Sequence, residues 1–239
     1  MEFFYTLPEN VHDNVIKLGV EEARHISRVL RHKVGDRISV VDGQGNEYSC
    51  SISVINRDSL TAEIIAKTRL AREPIVEVTL GAGIIKGNKL DPVAEMATEL
   101  GVRQIVPLIT ERTVANVTAL KLLRMRMLSV AALKSSTRTL LPEIKPPMPF
   151  AAFLSESSQY DLKLIAWEDE RQSRLDDVVT TRPRRGALII GPEGGFPEHE
   201  IALARNHGFL SFSMGPRRLR AETACIAALT MVLYQLREI

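Results

Sequence analysis

Gly186-Ala187-Leu188-Ile189-Ile190-Gly191-Pro192-Glu193-Gly194-Gly195-Phe196 decides how this chain is read. An unbroken apolar run stops in a loop with three glycines and a proline in five positions. A helix signal follows, from Pro197-Glu198-His199-Glu200 to Asn206-His207, and ends at Gly208. A second apolar run, Phe209 to Met214, breaks into Gly215-Pro216-Arg217-Arg218-Leu219-Arg220-Ala221-Glu222-Thr223-Ala224. Two neighbouring strand-like runs therefore each end in a Gly-Pro turn. In an open α/β sheet, ligands sit beyond the carboxyl ends of the strands. These two loops are the first candidates for a functional site.

The loop residues strengthen that reading. One glycine suffices for a turn from strand to helix; three glycines and a proline imply backbone packed close to another loop or to a ligand. Arginines suit the C-terminus of a helix, so Arg217, Arg218 and Arg220 just before a helix start oppose its dipole. A locally unfavourable choice of this kind is what a site for an anionic partner would produce.

Working back from this stretch, strands alternate with helices as far as residue 71. Val76 to Leu80 reads as a strand. Asp91 is placed as the N-cap of a helix with Pro92 at its first position, an apolar stripe of Val93, Met96, Ala97 and Leu100, and Gly101 as its stop. Ile105 to Ile109 is the next strand, with Pro107 favouring an edge or an end. A helix over about Ala119 to Lys134 carries Leu123, Met127 and Val130 on one face. A Pro-rich loop, a short helix, the strand Leu162 to Trp167 and a C-terminal helix from about Ala221 to Leu236 complete the alternation. Such a pattern predicts a largely parallel sheet covered on both faces.

Residues 1–70 differ. Ile38 to Val41, Tyr48 to Val54 and Leu60 to Ile65 are short β-rich runs separated by Asp42-Gly43-Gln44-Gly45 and similar turns, the pattern of a small barrel or sandwich. One helix is expected among them, about Val20 to Lys33. At 100° per residue it places Arg24, Arg28 and Arg31 on one arc, flanked by His25 and His32, and Ile26, Val29 and Leu30 opposite. The arginine face is either solvated or phosphate-binding; the lack of acidic partners at i+4 favours phosphate. The polar run Lys67 to Pro74 marks the boundary, giving domains 1–70 and 71–239.

Composition excludes several classes. At 239 residues, 45% apolar and 25% charged, the chain suits an ordinary globular protein. No apolar run approaches membrane-span length, and Met1-Glu2-Phe3-Phe4-Tyr5 lacks the basic start of a signal peptide. Cys50 and Cys225 form no metal or disulfide spacing, so a reducing, cytoplasmic setting is the simpler expectation. The five histidines show no HExxH spacing, and no metal is expected. No GxSxG elbow is present. Gly81-Ala82-Gly83-Ile84-Ile85-Lys86-Gly87 fails both the dinucleotide and the Walker spacing.

"LIIGPEGGFPEHE" and "MGPRRLRAETACIAAL" together resemble the RsmE-type 16S rRNA (uracil-N3) methyltransferases of the SPOUT (α/β-knot) superfamily, and the match covers nearly the whole chain. His25 with Val29-Leu30-Arg31, Val34-Gly35-Asp36 and Asp42-Gly43-Gln44-Gly45 resembles that family's PUA-like N-terminal domain. Ala97-Thr98-Glu99-Leu100-Gly101-Val102 and Thr110-Glu111-Arg112 resemble its catalytic-domain signature. The resemblance implies a trefoil-knotted α/β domain with a mostly parallel sheet, preceded by a small PUA-like β-barrel that binds RNA.

It also implies S-adenosyl-L-methionine as cofactor, one uridine of 16S rRNA in the small ribosomal subunit as substrate, and a homodimer. Trp167, Gly191 to Gly195 (with Pro192, Glu193 and Gly194), Met214, Gly215, Leu219, Arg220 and Thr223 would line the cofactor pocket. Arg24, His25, Arg28 and Arg31 would grip RNA. Arg220 would stabilise charge growing on the uracil carbonyls. Glu222 would remove the N3 proton or orient Arg220, or would be only a helix-start carboxylate. Met96, Lys134-Ser135, Glu2 or Phe3, and Pro197 depart from the family pattern. Alternatives are a non-catalytic RNA-binding protein on this fold and a SPOUT enzyme acting on another RNA position.

Overall fold

The computed structural model describes residues 2–180 and 182–239; Met1 of the N-terminal run lies outside them. It divides into two compact units, 2–73 with 130–141 and 74–129 with 142–239.

The first unit holds β1 (Phe3–Tyr5), β2 (Val11–His12), β3 (Val15–Leu18), α1 (Val20–Arg24), β4 (Arg37–Val41), β5 (Asn46–Ile55) and β6 (Leu60–Arg69). The strands form one sheet, ordered β1-β4-β5-β6-β3-β2. The β1–β4 pairing is parallel and the others are antiparallel. Alternate residues enter one core: Ile38 and Val40, Tyr48, Cys50 and Ile52, Leu60 and Ala62. This period of two is what the sequence shows in these runs. Ala23 and Ile26 close that core from the helix.

That helix is shorter than expected. After α1 the chain continues as a π-helical turn over His25–Val29, and Arg31 has φ +59°. The hundred-degree wheel therefore fails beyond Arg24, and Val29, assigned to the packing side, is 66% exposed. The segment 130–141 belongs to this unit through Glu73. Its Oε2 accepts hydrogen bonds from Arg138 Nε and Nη2, and its Oε1 from the backbone N–H groups of Thr139 and Leu140.

The second unit contains β7 (Glu77–Gly83), α2 (Leu90–Glu99), β8 (Gln104–Ile109), most of α3 (Ala119–Ser135), β9 (Glu143–Ile144), β10 (Met148–Pro149), α4 (Phe150–Ser155), β11 (Leu162–Ala166), α5 (Leu175–Val178), β12 (Arg185–Ile190), α6 (Glu198–Asn206), β13 (Leu210–Phe212) and α7 (Ala221–Gln235). Its sheet runs β10-β8-β7-β12-β11-β13, with β9 beside β8. Every pairing is parallel. Separate apolar clusters pack its two sets of inward residues, as a doubly covered sheet requires.

Three details differ from the sequence reading. Pro107 lies inside the sheet rather than at an edge. On one side it stands opposite Ala82; on the other it falls between the short partners β9, at Gln104–Ile105, and β10, at Leu108–Ile109. The missing N–H sits where that ladder is interrupted. Asp91 lies in the first turn of α2 and faces Arg124 at 2.8 Å, while Lys89 occupies the N-cap. Met96 is exposed rather than part of the buried stripe, and Leu123 and Met127 of α3 are exposed while Met125 is buried. No described helix is long and apolar enough to cross a membrane.

Candidate active site

The loops after β11, β12 and β13 converge beyond the carboxyl edge of the parallel sheet around a cleft of about 1230 Å³. The β12 loop is shaped by close backbone approach. A Cβ added to Gly83, on the neighbouring strand β7, would lie 2.7 Å from the carbonyl carbon of Gly191 and closer still to Pro192 N. Of the glycines in the failed fingerprint, Gly81 and Gly83 are therefore strand residues, and Gly83 lets the next loop pass over it. Gly195 sits at φ +66°, the left-handed region that favours glycine, and a Cβ there would press on Glu168 Oε1 at 2.8 Å. Arg112, from the loop after β8, packs its stem on Gly194 and donates from Nη1 to the Gly194 carbonyl at 2.8 Å.

Trp167, Gly191, Pro192, Glu193 and Gly195 line the cleft from one side. Met214, Gly215, Leu219 and Arg220 line it from the other. Gly194 turns instead toward Arg112, and Thr223 is exposed on α7. The indole N–H of Trp167 is buried without a partner, and Arg205 stands over the ring at 5.4 Å.

Glu170 fixes the β11 loop. Its Oε1 accepts the backbone N–H groups of Arg171, Gln172 and Ser173. Its Oε2 accepts the Ser211 hydroxyl at 2.5 Å and Arg205 Nη2 at 3.0 Å. Burial alone would raise its pKa, but the Ser211 hydroxyl and the three N–H groups outweigh burial and hold it at about 2.

The arginines divide by partner. Arg218 makes a two-pronged pair with Glu168, at 3.1 and 3.2 Å. Arg217 and Arg220 are exposed, and neither has an ion-pair partner among the described residues. Glu222, in the first turn of α7, has Oε2 buried without a partner and Oε1 3.8 Å from Lys89 Nζ. One turn on, burial and the Glu222 charge push the Cys225 thiol up to about 12, so it is an inert core residue.

Sequence reasoning missed Lys89, Glu168 and Glu170, and had Arg112 only as part of the Thr110-Glu111-Arg112 signature. Lys89 lay within a segment judged only for nucleotide spacing. Glu168 and Glu170 lay in Trp167-Glu168-Asp169-Glu170-Arg171, a charged run like many solvated loops.

In the first unit, Arg24, Arg28 and Arg31 are all exposed. Arg24 pairs with Asp58 at 2.8 Å, an acidic partner distant in sequence, and His25 Nε2 is 2.7 Å from Glu2 Oε1. Lys134, a departure from the family pattern, pairs with Glu22 at 2.7 Å. Among the described residues no cluster of His, Cys, Asp or Glu could hold a metal ion.

The RNA methyltransferase domain family matches residues 71–233, and the RNA methyltransferase PUA domain family matches 18–65. A Synechocystis ribosomal RNA small subunit methyltransferase E is 30% identical, over 94% of this chain and 75% of its own. The Bacillus subtilis protein of the same name is 29% identical over 90% of this chain and 88% of its own. The chain belongs to this methyltransferase family. A family member from Neisseria gonorrhoeae, solved bound to S-adenosyl methionine, superimposes with a TM-score of 0.87 at 30% identity, covering 98% of this chain and 97% of that one. The fold is accordingly a SPOUT, or α/β-knot, domain preceded by a PUA-like domain.

Proposed function

We propose that this chain transfers a methyl group from S-adenosylmethionine to N3 of one uridine of 16S rRNA in the small ribosomal subunit, as a homodimer in the cytoplasm. Residues 1–70 then serve as the PUA-like RNA-binding domain and 71–239 as the methyltransferase domain. Family membership supports the reaction class. The observation that carries the assignment is the convergence of both glycine loops on one cleft, with Arg220 unpaired and Glu222 only half engaged at the start of the same helix.

The cleft suits the cofactor chemically. Met214 and Leu219 give apolar wall, and Trp167 has an indole donor without a partner. Glycine backbone at 191 and 195, both on the cleft wall, allows close approach. Bound cofactor supplies an electrophilic methyl on a sulfonium sulfur.

The remaining work falls to the protein. Uracil N3 carries a proton that must leave for its lone pair to attack. Glu222, next but one to Arg220 at the start of α7, removes that proton or orients Arg220. Arg220 faces the charge that then grows on the uracil carbonyl oxygens. Arg112, Glu170 and the glycine contacts hold the loops still, which supplies the positioning part of the rate. Arg24, Arg28, Arg31 and His25 support the RNA grip by their exposure on one unit. Met231 and Tyr234, exposed on an otherwise apolar α7, support the dimer.

The test is transfer of labelled methyl to small subunits from a strain lacking the endogenous activity, followed by mapping of the product. N3-methyluridine at one position of 16S rRNA is expected. Label at another position, or at a ribose hydroxyl, would overturn the target. Arg220→Ala should lower kcat by roughly a hundredfold or more with folding intact, the cost of losing one preorganised charge stabiliser; unchanged turnover would remove Arg220 from the mechanism.

A further inference from the structure

The loop between β13 and α7 is anchored at its ends and loosely held between them. Met214 packs against the core and Ala221 is buried, but Gly215 to Arg220 are all exposed. The Gly215 N–H donates within the loop, to Ser213 Oγ at 3.2 Å. Among the described residues, one polar tie fastens 214–219 to another loop. Arg218 donates from Nε to Glu168 Oε2 at 3.1 Å and from Nη2 to Glu168 Oε1 at 3.2 Å. Glu168 lies in the loop after β11, Arg218 in the loop after β13, and both line the cleft. The pair ties one wall of the cleft to the other.

The surroundings single out this pair. Glu168 Oε1 also stands against the loop after β12, where a Cβ at Gly195 would lie 2.8 Å from it, so loops from three strands meet at one carboxylate. The other acids of the cleft are engaged elsewhere. Asp169 pairs with Arg171, Glu170 is filled by its donors, and Glu193 faces Lys89 and the Lys86 N–H. Arg217 and Arg220 make no ion pair among the described residues, so Arg218 alone of the three holds a carboxylate. Helix stability does not explain a cation before α7, where it opposes the dipole. Fold stability explains it little better. The Arg218 side chain is 75% exposed and that of Glu168 36%, and pairs so open to water contribute little. A segment with few buried contacts and one weak tie opens at small cost.

We propose, resting on the cofactor reading above, that Arg218 is a positioning residue for S-adenosylmethionine. Its grip on Glu168 fastens the exposed loop across the cleft, and the cofactor leaves when that pair breaks. With the pair made, the wall carrying Leu219 is held toward the cleft. With it broken, that wall is free to move, while the loops fixed by Glu170 and Arg112 stay in place.

The experiment follows release of S-adenosylmethionine from full-length protein by stopped flow. Trp167, the chain's one tryptophan and a residue of the cleft, is the fluorescent reporter. Wild type, Arg218→Met, Glu168→Gln and the double variant are compared over a salt series. Each single change should speed release about two- to fivefold, the scale of one exposed two-pronged pair. The double variant should release no faster than the singles. At about 1 M salt, where the screening length is about 3 Å, wild type should lose its advantage. Arg218→Lys, which keeps the charge without the fork, should fall between wild type and Arg218→Met. Unchanged release from Arg218→Met overturns the proposal. So do effects that multiply in the double variant, because the two residues then act separately. An advantage that survives high salt overturns it too, because the arginine then acts by packing. Wild type that binds no S-adenosylmethionine in calorimetry would sink the cofactor reading and the strap with it, whereas binding with unchanged release would sink the strap alone.

Discussion

Single residues hold this cleft together by unusually complete pairing. Glu170 is the strongest case: one buried carboxylate accepts five donors. Glu170→Gln would leave several of those donors buried and unmatched, and should cost about 3 kcal/mol at neutral pH. The pH dependence follows from the direction of the shift. The folded pKa is about 2, against an ordinary 4.5. The stabilisation is therefore complete above about 4.5 and lost as pH falls toward 2. Urea unfolding of wild type and variant from pH 7 to pH 2.5 should show a stability gap that narrows only below about 4.5. A gap that stays constant would mean Glu170 acts by packing alone. Gly83 is the second case. Gly83→Ala forces the Gly191–Pro192 backbone away from β7, an overpacking cost of about 1–3 kcal/mol. Cofactor affinity, measured by calorimetry, should fall with it; full affinity would show that the loop can shift without disturbing the site.

At the scale of elements, legibility followed physical cause. Strands β11 and β12 and helices α6 and α7 could be read closely because apolar runs, Gly stops and Pro starts are local signals. The Gly81-Ala82-Gly83 strand was not legible as strand, since Gly83 answers to a loop more than a hundred residues later and Gly81 to the Leu108 side chain of the neighbouring strand. The α3 face was misassigned for a related reason. Leu123 and Met127 have the right spacing, but the core reaches Leu122 and Met125 instead, which leaves the expected stripe outside. The helix near residue 25 failed by periodicity, because a π turn advances each residue by less than an α turn and Arg31 adopts φ +59°. The arginines are nevertheless all exposed. Replacing Arg24, Arg28 and Arg31 by Gln should weaken RNA binding and flatten its log–log salt dependence, by about 0.7 for each single-strand phosphate that is no longer neutralised. Filter binding over a salt series measures this, and an unchanged slope would place the RNA grip elsewhere.

At the scale of the whole molecule, the surface of α7 raises the last question. Its sequence, Ala221-Glu222-Thr223-Ala224-Cys225-Ile226-Ala227-Ala228-Leu229-Thr230-Met231-Val232-Leu233-Tyr234-Gln235, is apolar nearly all round. A helix of that kind is normally buried on every side. Cys225, Leu229, Val232 and Leu233 are buried within the protomer, yet Tyr234 is 72% exposed and Met231 38%. An aromatic and a methionine on the outer face of such a helix are residues that interfaces favour, and a second copy is the partner the family resemblance implies. Because Glu222 lies in the first turn of the same helix, a contact along α7 would also steady the end proposed to face the substrate. Met231→Glu with Tyr234→Glu puts two charges on that face without touching the core. Sedimentation velocity should then show monomer where wild type shows dimer, with methyl transfer reduced and the far-UV spectrum unchanged. A variant that remains dimeric would move the interface off α7, and exposed Leu120, Leu123 and Met127 of α3 would become the face to test next.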